Sequence, residues 1–152
     1  MIAVLYPRDD KLAMEIAIKV GLDYDNVYVA PTYRIREKNV LSELEKAEYG
    51  IMLIFDPKVG IDEKTNKRFN FLKDRVKKMF VIIPDVLKTN VKANGKIEFV
   101  EFRSNDYNDL ISKLNALVNR LNSEKVQSEN FILLLLVIVF IIALLITVKA
   151  SK

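Results

Sequence analysis

The chain has 152 residues, with 24 Lys and Arg against 20 Asp and Glu, and contains no Cys, no His and no Trp. Zinc sites built on Cys or His, Cys nucleophiles, Ser-His-Asp triads and His general bases are thereby excluded. Two of the basic residues, Lys149 and Lys152, lie at the far C-terminal end, so the remainder carries only about +2, with both signs interspersed. That is a solvated surface and not a nucleic-acid footprint.

Ile2 to Tyr6 (IAVLY) is a continuous apolar run, the pattern of a strand buried on both faces in a parallel sheet. Pro7 stops it. Asp9 or Asp10 is placed to cap a helix over Lys11–Val20, with Gly21 just past its end. Val27 to Ala30 reads as the second strand, closed by Pro31. The polar stretch Thr32 to Lys38 follows, and Asn39 is the expected cap of a second helix whose buried stripe is Val40, Leu44 and Ala47. Gly50 is expected to end that helix.

Ile51 to Phe55 (IMLIF) is the most hydrophobic strand of this region and belongs at the sheet centre. Asp56-Pro57 ends it, and Lys58 to Asn66 reads as a polar loop. Phe69, Leu72 and Val76 mark a helix over Lys67–Lys78. Phe80 to Ile83 is the fourth strand, stopped by Pro84. Asn94-Gly95 is a two-residue turn signal. Ile97 to Phe102 (IEFVEF) alternates with period two, as a half-exposed edge strand does. Ser104 to Asp106 caps a last amphipathic helix carrying Leu110, Leu114, Leu117 and Leu121 on one face, widened by Ile111 and Val118.

Strands alternate with helices, and right-handed crossovers then predict a doubly wound parallel α/β sheet of about five strands in the order 2-1-3-4-5. Ligands in such sheets bind beyond the carboxyl ends of the strands. The residues expected there are Arg8, Asp9, Asp10, Asp56, Lys58, Asp85 and Arg103. Asp9, Asp10 and Asp56 invite a receiver-like reading, with Mg²⁺ and a phosphoryl acceptor. Against it, Pro7 and Arg8 push the acids away from the strand end, and no Lys closes the fifth strand. The plainer reading makes Asp9 and Asp10 helix caps and Asp56 part of an Asp-Pro turn. No Gly-rich loop follows a strand, so neither a P-loop nor a dinucleotide fingerprint is present, and no cofactor or metal is expected.

From Phe131 to Val148 the sequence reads FILLLLVIVFIIALLITV, without charge, Gly or Pro. At about 1.5 Å per residue this makes a helix of roughly 27 Å, close to the ~30 Å hydrocarbon core of a bilayer. Leu, Ile, Phe and Val each favour insertion by roughly 0.3–0.6 kcal/mol, several kcal/mol over the run. A core helix with a side in water needs a polar stripe, and none is present. Thr147 is the one polar side chain inside and can bond back to its own helix. The expected organisation is a domain over residues 1–121, a polar linker over 122–130, a transmembrane helix over 131–148 and a short tail over 149–152. With no Cys, no Asn-x-Ser/Thr site and Met1-Ile2 running straight into a strand, we expect a single-pass, tail-anchored protein. Its domain would be cytoplasmic, with the bilayer as partner through 131–148.

The first strand ends in Tyr6 with acids close behind (YPRDD), and Leu41 to Ala47 (LSELEKA) leads into IMLIF. Phe80 to Pro84 (FVIIP) and the later Glu101, Phe102, Tyr107, Leu110, Leu114 pattern continue the series. In these motifs the chain from Ile2 to Leu121 resembles a Toll/interleukin-1 receptor (TIR)-like domain. Enzymatic members of that family cleave NAD with a Glu on the helix after the third strand. The corresponding stretch here, NKRFNFLKDRVKK, has no Glu, and neither Glu63 nor Asp74 fits the spacing. The resemblance therefore implies a protein-interaction or self-associating signalling module more than an enzyme. A membrane-tethered nucleotide- or NAD-using enzyme is the alternative.

Overall fold

The computed structural model of the protein describes residues 1–58, 67, 71–72, 75–87, 96–124 and 129–150. Five parallel strands form one sheet: β1 (Ile2–Tyr6), β2 (Val27–Pro31), β3 (Tyr49–Leu53), β4 (Met79–Pro84) and β5 (Ile97–Phe102), in the order β2-β1-β3-β4-β5. This is the expected topology. β1 lies between two neighbours, with Ile2 beside both Val27 and Tyr49. Its uniform hydrophobicity follows, because both of its faces are covered. β5 is an edge, and its middle residues are only half buried, as its alternation predicted.

Alternate residues serve opposite faces. Ala3, Leu5, Met52, Val81 and Ile83 meet α2 (Lys38–Lys46) through Val40 and Leu44, with Leu72 alongside. On the other face Ile2, Val4, Ile51, Leu53, Phe80 and Ile82 meet α1 (Lys11–Asp23) and α3 (Tyr107–Ser123). Asp106 caps α3 by accepting from the Asp109 amide at 3.0 Å.

Several boundaries differ from the sequence reading for identifiable reasons. α1 continues through Gly21 to Asp23. A Cβ on Gly21 would come within 2.6 Å of Val29 Cγ2, so this glycine serves the close crossing of α1 over β2 and does not end the helix. Asn39 lies inside α2. The chain enters from a 3₁₀ turn at Thr32–Arg34, and the carbonyl of Glu37 accepts the first helical bond, from Leu41. Gly50 sits within β3, its amide donating to the Lys78 carbonyl at 2.8 Å. The strand therefore starts at Tyr49 and ends at Leu53, while Ile54 and Phe55 stay buried beyond it. Lys67, Phe71 and Leu72 are helical, but Arg75 is already in a turn. Asn94-Gly95 lies outside the described residues.

The expected C-terminal helix is present as α4 (Glu129–Ala150). α4 runs back along α3. Its Phe131 stacks on Tyr49 (4.5 Å between ring centroids) and on Phe80 (5.3 Å), at the amino ends of β3 and β4. At the other end Ile142, Leu145 and Ile146 gather with Leu12 of α1 and Tyr107 of α3. The reason lies in the sheet. α1 packs over β1 and β2, α3 packs over β5, and the strip between them needs apolar cover. α4 supplies it, burying Phe131, Leu134, Leu135, Ile138, Ile141 and Ile142.

The opposite side of α4 stays open. Leu133 is 52% exposed, Leu136 44%, Phe140 63% and Leu144 44%, a single stripe at helical spacing. Thr147, the polar side chain within this span, bonds back to the Ala143 carbonyl at 2.9 Å.

A Gly21→Ala substitution separates the two roles of that residue. Alanine gains up to ~1 kcal/mol of helix propensity, but the β-branched Val29 has little room to yield. We expect a net loss of about 1–2 kcal/mol, read from the urea midpoint; a stabilised variant would show that the crossing is not tight.

Candidate functional site

The seven residues expected at the carboxyl ends of the strands do come from the β1, β3, β4 and β5 ends, but they form separate local groups. Asp10 is fully buried. Its Oδ1 accepts from the Ala13 amide at 3.2 Å and caps α1. Its Oδ2 accepts from the Phe55 amide at 2.7 Å and the Asp56 amide at 3.0 Å. One carboxylate thus fastens the start of α1 to the chain leaving β3, across the switch point of the sheet. Three N–H donors satisfy it, so it acts as a structural clasp. Asp56 Oδ1 accepts from the Lys58 amide at 2.9 Å, which closes the Asp-Pro turn.

Tyr107, the first residue of α3, stands close enough to feel both acids. Burial pushes its phenol up from the ordinary tyrosine value, and the carboxylates of Asp10 and Asp56 push it further. Tyr6 at the end of β1 is likewise raised, by burial first and then by Tyr33, with Arg34 opposing. Arg8 sits over the Tyr33 ring, 5.4 Å from its centroid. Asp9 is exposed.

The β4 and β5 ends form a third group. Asp85 accepts from the Ser104 amide at 3.2 Å, and Asp109 accepts from the Arg103 amide at 2.7 Å. The Arg103 guanidinium lies 3.4 Å from Asp106 and 3.8 Å from Asp109. It is largely exposed, so these pairs contribute little to stability. Among the described residues no three acidic side chains converge as a cation site. Glu63 lies outside the described residues.

A cleft of about 430 Å³ opens at the other end of the sheet, where the strands begin. Tyr49, Lys77, Phe80, Glu98, Arg120 and Glu124 line it. Arg120 donates to Glu98 through both terminal nitrogens, Nη1 at 3.1 Å. Sequence reasoning missed this cleft and the placement of Tyr107. Neither has a local signal, because each depends on the register of distant elements.

No family model matches the sequence, and no curated protein matches it. Among solved structures the chain is similar to the C-terminal domain of glucosamine-fructose-6-phosphate aminotransferase from Francisella tularensis. The TM-score is 0.50 at 18% identity, over 67% of this chain and 28% of that one. At this identity the likeness is one of fold, and it covers under a third of the neighbour. The TIR resemblance rests on the quoted motifs alone. The chain is a parallel five-stranded α/β protein with one C-terminal helix long and apolar enough, by length and composition, to cross a membrane.

Replacing Asp10 tests its assignment as a clasp. Asp10→Ala removes the cap and strands the Phe55 amide, and should cost about 3 kcal/mol in urea unfolding. Asp10→Asn keeps the cap oxygen but turns an amide towards two donors, so most of the loss should remain. A loss below about 1 kcal/mol would free Asp10 for a role in chemistry.

Proposed function

We propose that this chain is a membrane-attached α/β module that works by binding a protein partner or itself, with α4 as its attachment. The observation that carries the reading is the apolar perimeter of α4. Its docked side and its open side are both built of Leu, Ile, Val and Phe, and no charge falls between Phe131 and Val148. Exposed apolar stripes of this kind mark interaction surfaces. Their length here suits lipid.

Two energies bear on where α4 rests. Insertion of its apolar residues is favourable by roughly 5–10 kcal/mol. Docking of the six buried side chains on the domain is worth on the order of 10 kcal/mol. The two are comparable, so a bilayer can compete with the domain for the helix.

The TIR resemblance would make the domain a signalling or assembly unit. The engagement of Asp10 and Asp56 with nearby backbone amides supports a binding role over catalysis. The absence of cysteine suits placement of the domain on the cytoplasmic side, where protease added to intact cells should leave it whole.

Phe140→Lys tests the attachment. Phe140 faces outward, so the domain should fold unchanged. A lysine at mid-span costs about 3 kcal/mol of insertion, roughly a hundredfold in partitioning onto lipid vesicles. Equal flotation of variant and wild type would remove α4 from the account. For the rival enzymatic reading, full-length protein is incubated with NAD, nucleotides or fructose 6-phosphate. No turnover is expected, and turnover lost in Asp56→Ala would replace a binding module with an enzyme.

A further inference from the structure

The same six side chains that dock α4 on the domain are needed by lipid if it spans a bilayer. The docked helix lies lengthwise on the sheet face. Phe131 is pinned between Tyr49 and Phe80 at one edge, and Ile142, Leu145 and Ile146 reach Leu12 and Tyr107 at the other. A helix held along its whole length against a folded domain cannot also have lipid on all sides. The two placements exclude each other.

We propose that α4 is an exchangeable element. In water it is stored on the α1/α3 face, and at a bilayer it leaves that face and inserts. This rests on the membrane reading above but adds a requirement that reading lacks: the domain must surrender the helix. The open stripe of Leu133, Leu136, Phe140 and Leu144 is the part that meets lipid first, since it is exposed while the helix is still docked. The buried side follows, because once released it has no polar face to keep it in water. Release uncovers the rings of Tyr49 and Phe80, so membrane insertion changes the domain's own surface. A ligand can shift such an equilibrium only through differential affinity for the two states. Lipid has it, because it contacts one side of the docked helix and every side of the inserted one.

The chain has no tryptophan, so single substitutions give unambiguous probes. Full-length Phe140→Trp, Ile138→Trp and Tyr49→Trp are each mixed with phosphatidylcholine vesicles carrying brominated acyl chains. Phe140 marks the open side of α4, Ile138 its docked side, and Tyr49 the surface it covers. Exchange predicts bromine quenching at both 140 and 138, with a red shift and greater acrylamide quenching at 49. Quenching at 140 alone, with 49 unchanged, would mean that the protein binds lipid with its helix still docked. The proposal would then fail while the membrane reading stood. Quenching at neither helix position would defeat both. Should Ile138→Trp disturb the packing, Tyr49→Trp reports release from the domain side without altering α4.

Discussion

A helix of uncharged Leu, Ile, Val and Phe has no side that it can turn to water without cost, and the rest of this structure is arranged around that constraint. The sheet leaves a strip of one face between α1 and α3. α4 lies on that strip and removes its own Phe131, Ile138 and Ile142 from solvent while covering Phe80 of the sheet. The solution is only half complete, because Phe140 and its neighbours remain outside. A soluble core helix ordinarily resolves this with a polar outer stripe. Its absence here is what supports the proposed attachment through α4.

The strand-end region contrasts with it. Doubly wound sheets place ligands at the switch between β1 and β3, and this chain has carboxylates there. Asp10 is buried and fully engaged with backbone amides of two segments, which makes the switch point a joint. Asp109 and Asp85 hold the neighbouring loop in a similar manner, accepting from the Arg103 and Ser104 amides. The two best-defined features of the molecule thus lie apart: a closed polar joint at the strand ends, and an open apolar stripe along α4.

Much of the fold was legible in the chain. Continuous runs such as IAVLY mark buried parallel strands because both faces are covered, and the alternation of IEFVEF marks an edge. A cap at Asp9 or Asp10 and another within Ser104 to Asp106 could be read because capping needs only local geometry, and the structure selects Asp10 and Asp106. Gly21 and Gly50 misled for the converse reason. Each looks like a helix stop, yet one allows α1 to cross Val29 and the other lies in the β3 ladder, and both facts depend on distant chain. The apolar run of α4 was unmistakable, but its docking was not. Composition reports how badly a helix wants to leave water, not whether lipid or its own domain receives it. The same limit applies to the candidate site: the strand-end residues could be named, but which amides Asp10 would bind depends on register.

The central claim is that α4 seeks a bilayer in the cell. Washing isolated membranes with alkaline carbonate tests it most directly, since this strips peripheral protein and leaves spanning helices in place. The account predicts that full-length protein stays with the membrane pellet. Full release of the membrane-bound protein into the wash would contradict it and make α4 the core helix of a soluble protein.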